Sequence, residues 1–161
     1  MIPKSIVVHH SASAPSTTLN QIDEWHRYRG FTRSSLGYYI GYHFVIEQSG
    51  NVFQARNTEE MGCHCVPNTG KIGVCLIGDF SKKGKPTDSQ LNALQALLDT
   101  LTEELKLSPA DIYGHRELKA TECPGDNLFD WVKLYRQLGF LKDQIRILLA
   151  KIAAKKETYK G

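Results

Sequence analysis

The sequence predicts one α/β domain: a mixed central sheet flanked by helices, with a basic amphipathic helix at the C-terminal end. Three observations carry this. Short β-branched runs at residues 5–10 and 71–77 alternate with stretches of helical periodicity, the order that builds a sheet covered on both faces. Two capping boxes, Thr18 with Gln21 and Thr87 with Gln90, mark helix starts. The 161 residues are 41% hydrophobic and 23% charged, which excludes disordered and collagen-like chains and suffices for one buried core.

Each element follows in order. Ser5-Ile-Val-Val-His-His10 reads as a short buried strand. The helix opened by Thr18 runs through Ile22, Trp25 and Tyr28 to Gly30, with Trp25 expected in the core and His26 on the surface. Residues 42–47 and 51–55, around Ser49-Gly50, read as a hairpin. Residues 71–77 are the most apolar segment and the candidate central strand. From Thr87, Leu91, Leu94, Leu98, Leu101 and Leu105 recur at helical spacing. Residues 111–114 form a short strand that ends on His115. A helix over 128–138 closes at Gly139. Leu141, Ile145, Leu148, Leu149 and Ile152 then form the stripe of a last helix. The expected division is a domain over 1–139 and an amphipathic helix with basic tail over 140–161.

The net charge of +3 is too small to indicate nucleic acid, and none is expected as a partner. Residues 142–161 carry +4, which leaves the first 141 residues at −1. This basic helix has two readings: its stripe packs on the domain, or it contacts an anionic membrane. No apolar run is long enough to span a bilayer. The opening residues run straight into a strand without a cationic or apolar leader. The expectation is therefore a chain made in a reducing compartment, with reduced thiols. Cys63 and Cys65 lack the usual spacing of a zinc knuckle and read as two thiols, and Cys75 reads as core.

The chemistry concentrates in two segments: Val8-His9-His10-Ser11, and Gly114-His115 followed by Thr121-Glu-Cys123-Pro-Gly125. Two imidazoles and a thiolate with an open fourth position form a recurrent catalytic zinc arrangement, although a lone histidine is more often structural.

The wording of four segments goes further. Val-Val-His-His-Ser-Ala, Gly-Tyr-His-Phe-Val-Ile, Ile-Gly-Val-Cys-Leu-Ile-Gly-Asp-Phe and Gly-His-Arg-Glu…Thr-Glu-Cys-Pro-Gly-Asp occur in that order. Over about residues 5–135 the chain resembles the zinc-dependent N-acetylmuramoyl-L-alanine amidases, which include phage lysins and animal peptidoglycan recognition proteins. The resemblance implies Zn2+ held by His9, His115 and Cys123. It implies catalytic roles for Tyr42 and Thr121, and substrate contacts for His64 and, second, for His10. Thr121 falls where some phage members have lysine and the recognition proteins have threonine. No motif places a general base; Glu117 and Glu122 are merely near in sequence.

The function implied is cleavage of the amide between N-acetylmuramic acid and L-alanine, by a monomeric phage or prophage endolysin that waits in the cytoplasm of the producing bacterium and reaches the wall after release. The alternatives are a cytosolic enzyme recycling muropeptides, or a non-catalytic peptidoglycan-binding or regulatory protein of the same fold.

Overall fold

The computed structural model describes residues 1–81 and 83–158. Five strands form one sheet: β1 (Ser5–His10), β2 (Phe44–Ile46), β3 (Val52–Gln54), β4 (Lys71–Leu76) and β5 (Ile112–Gly114). Their spatial order is β3-β2-β4-β1-β5. β1 runs parallel to both β4 and β5, β2 runs parallel to β4, and β3 closes the edge as the antiparallel arm of the hairpin. The sheet is therefore mixed, and the apolar runs β1 and β4 lie in its middle, where both faces are covered.

Helix α1 (Leu19–Tyr28) covers one face, where Leu19 and Ile22 pack with Ile40, Val45, Ala55 and Ile77. Helices α2 (Asp88–Leu105) and α3 (Asp126–Thr158) cover the other. There Leu94, Leu98 and Leu101 of α2, with Leu128 and Val132 of α3, bury Ile6, Val8, Ile72, Val74 and Leu76. Strand alternation thus sends Ile6, Val8 and His10 towards α2 and α3, and His9 towards the α1 face. Both capping boxes form: Thr18 and Thr87 hydroxyls accept from Gln21 N–H and Gln90 N–H at 3.3 and 3.1 Å.

The structure departs from the sequence reading in three places. α3 is one continuous helix, and Gly139 lies inside it rather than closing it. A Cβ at that position would stand 2.6 Å from Pro109 Cγ, so this glycine permits close helix–loop contact. That contact offsets the roughly 1 kcal/mol that glycine costs within a helix. Second, of the two readings open for the last helix, packing of its stripe on the domain is the one the structure does not bear out, since Leu141, Ile145, Leu148 and Leu149 are 53–60% exposed. Third, Trp25 and His26 exchange places. Trp25 is 42% exposed, whereas His26 is buried and its Nδ1 accepts the Gly41 N–H at 3.0 Å.

Candidate metal centre and catalytic cleft

His9 and His115 reach the same point because their strands are neighbours. The register pairs Val8 with Gly114; His9 is the next residue of β1, and His115 is the first residue after β5. Cys123 arrives from the loop between β5 and α3, which is clipped at three points. Arg116 N–H donates to Cys123 O at 2.8 Å, and the Arg116 guanidinium pairs with Asp126 at 2.6 Å and also holds Glu122 O. Thr121 Oγ1 accepts the Cys123 N–H at 3.2 Å. One ligand atom each from His9, His115 and Cys123 then lies within 4.8 Å of the others, and His9 Nδ1 stands 3.6 Å from Cys123 Sγ. Ligand atoms around a tetrahedral zinc stand roughly 3.3–3.8 Å apart, given the usual bond lengths. Two imidazoles and a thiol are the donor chemistry that such a metal takes, so these three residues fit it.

The hydrogen bonds fix which nitrogen of His9 is bare. Lys71 O can only accept, so the His64 Nε2 lying 3.2 Å away carries a proton. Burial, followed by the neighbouring His43, lowers the His64 pKa to about 3, which keeps the ring neutral and leaves its Nδ1 an acceptor. His9 Nε2, 3.0 Å from that atom, is therefore the donor. His9 is itself held neutral, chiefly by burial and then by His64 and His115. Its lone pair consequently sits on Nδ1, facing Cys123. His64 acts here as the outer partner that orients a ligand.

Space for the His64 ring comes from Gly73 of β4: a Cβ there would lie 2.6–2.8 Å from three of its ring atoms. Asn68 Oδ1 anchors the same loop by accepting the N–H groups of His64 and Cys65 at 2.9 and 2.8 Å. Neither residue was picked out in the sequence. A glycine inside the most apolar strand was the available signal, because such a residue marks a close approach.

Tyr42 lies between the rings of His9 and His26, with centroids 5.2 and 5.4 Å away. Burial, and then the thiols of Cys75 and Cys123, push its pKa well above the ordinary value, so the phenol remains a hydrogen-bond donor. His26 supports it from below by holding the Gly41 N–H. Thr121 is exposed at the mouth, and because its oxygen accepts from Cys123 N–H, its own proton is directed elsewhere.

These residues line an open cleft of about 490 Å3 that also includes Asp79, Ser81 and Glu122. A mainly apolar shelf continues from it past Phe31, Cys65, Val66 and Ala120. His10 borders the cleft from the other face of the sheet; its Nδ1 accepts the Phe80 N–H at 3.1 Å, and the Asp79 carboxylate lies 3.6 Å from the same nitrogen. Glu117 is turned away: it accepts the Gly114 N–H at 2.7 Å and pairs with Arg136 at 2.8 Å. All four cysteines are free thiols, and Cys75 is fully buried.

Residues 1–126 match the family model described as N-acetylmuramoyl-L-alanine amidase. The chain belongs to that family. It is 34% identical over 134 residues to the endolysin of Escherichia phage T7, covering 79% of this chain and 83% of that one. It is 32% identical over 133 residues to peptidoglycan-recognition protein SC2 of Drosophila melanogaster, covering 80% and 72% respectively. Among solved structures, the endolysin amidase LysCS from Clostridium intestinale superposes with a TM-score of 0.73 at 32% identity, covering 83% of each chain. The mixed sheet and the helices on its two faces match the fold of these neighbours.

Proposed function

We propose that this amidase is a zinc-dependent peptidoglycan hydrolase of the endolysin type, cutting the amide between N-acetylmuramic acid and L-alanine of the stem peptide. The observation that carries the reading is the convergence of His9 Nδ1, His115 and Cys123 Sγ at the floor of an open cleft. A complete ligand set also favours an enzyme over a receptor that only binds. A zinc ion held by these residues supplies Lewis acidity and activates water near neutral pH.

The chain's own groups do the rest. His64 keeps the His9 lone pair aimed at the site, through the hydrogen bond ending on Lys71 O. Tyr42 and Thr121 present hydroxyl donors where negative charge develops on the amide oxygen. A lost donor of this kind costs roughly 3 kcal/mol of transition-state stabilisation. The cleft is open on one side and walled by the apolar shelf on the other, which suits a ligand with a polar sugar end and a peptide.

The likeness to phage endolysins supports the further proposal that the protein accumulates in the cytoplasm of the producing cell, acts as a monomer, and meets the wall after release. The test joins metal analysis to mass spectrometry of digested peptidoglycan. One zinc per chain and free L-alanine amino termini are expected, with both lost in Cys123→Ala. Stoichiometric zinc and full activity in that variant would overturn the assignment.

A further inference from the structure

The C-terminal half of α3 carries a face that the domain leaves uncovered. Leu138, Leu141, Ile145, Leu148 and Ile152 recur at alternating spacings of three and four, so they form one stripe. They are 44–58% exposed. Lys142 and Arg146 flank the stripe on one side and Lys151 on the other, with Lys156 following one turn beyond Ile152. Asp143 is the one acidic residue between positions 139 and 156, and Arg146 pairs with it at 3.0 Å.

We infer that this face docks on an anionic phospholipid bilayer, with the helix lying along the surface. Charge decides between this occupant and a second copy of the chain. The three-four spacing also suits a two-helix seam, but parallel pairing there sets Lys151 of one copy against Lys156 of the other, and Lys155 falls at a seam position. Cationic edges repel a copy and attract phosphate headgroups. Among the described residues no helix is long and apolar enough to cross a membrane, so the helix rests in the interface with its lysine stems beside the acyl boundary.

The full chain is tested by co-sedimentation with phosphatidylglycerol vesicles and with phosphatidylcholine vesicles, a readout that needs no amidase activity. Binding to the first alone, released by high salt, is expected. Leu148→Gln should weaken it more than about tenfold. Lys142→Gln combined with Lys151→Gln should weaken it about 25-fold, from about fivefold for each charge. Ile147→Gln, on the opposite side of the helix, should bind like the parent. All these positions lie outside the cleft, so thermal midpoint and digestion of purified peptidoglycan should stay unchanged. Equal affinity for both vesicles, or for neither, overturns the proposal. So does concentration-dependent dimerisation in sedimentation equilibrium that Leu148→Gln abolishes, which assigns the stripe to a second copy.

Discussion

Acid should weaken this fold partly through His26, and the size of that effect follows from its surroundings. The imidazole is 6% exposed, accepts the Gly41 N–H and packs on Phe31 and Tyr42. Burial first, then Arg29, lower its pKa to about 4 against the opposing pull of Asp23, with Arg56 assisting. In the unfolded chain the group titrates near 6.5. Below pH 6.5 the unfolded state therefore takes up a proton that the folded state refuses until pH 4. The contribution of the neutral ring to stability is complete above pH 6.5 and is lost progressively as pH falls towards 4. Linkage puts the loss at about 2 kcal/mol by pH 5.

His26→Asn keeps an acceptor for Gly41 N–H and removes the titration. Urea unfolding of parent and variant at pH 7.5 and 5.0 gives four free energies, and the other histidines cancel in their double difference. The variant loses ring packing at both pH values, yet its deficit should shrink by about 2 kcal/mol at pH 5.0. A deficit that does not change with pH would refute the argument that burial of this ring resists protonation.

Further outcomes follow from the cleft and its supports. Tyr42→Phe and Thr121→Val should each retain zinc and lower kcat with little change in KM, and the double variant should fall well below either, as single-turnover digestion of purified wall would show. His64→Ala frees the His9 ring to rotate, so metal affinity measured by competition with a chelator should drop 10–100-fold. Gly73→Ala should reproduce part of that loss by displacing the same ring, without touching any ligand. Gly125→Ala combines a φ of +85° with a Cβ only 2.3 Å from the Phe80 carbonyl carbon. It should cost about 2–4 kcal/mol in chemical unfolding.

The sequence made the sheet legible because apolar runs and capping boxes report on local physics. Residues 5–10 and 71–77 read as buried strands from their short β-branched runs, and Thr18 and Thr87 as helix starts from the glutamines three residues on. The grouping of His9, His115 and Cys123 was legible through the family that their motifs resemble, and less so through spacing alone. What sequence hid was pairing across space. His26 looks like a surface residue in its helix until the 40–42 segment folds over it and supplies a donor. His64 carries no sign that its two nitrogens join His9 to Lys71 O, since that link joins three separate segments. Gly139 matches a helix terminator by type, and only the position of Pro109 shows it to be an interior contact.

The parallel pairing of β1 with β5 has a consequence for how a metal would be captured. Adjacent strands in a sheet are spaced about 4.8 Å apart by their backbone ladders. His9 and His115 directly follow the matched pair Val8 and Gly114, so main-chain hydrogen bonds set how close their backbones stand. The sheet works as a gauge block with two jaws already set, whereas Cys123 rides on a loop pinned chiefly through Arg116. A metal bound here would be held by His9 and His115 at a backbone spacing already set, and by Cys123 once its thiol had given up its proton. The variable side of such a site would therefore be the Cys123 loop, whose place depends on the contacts of one arginine.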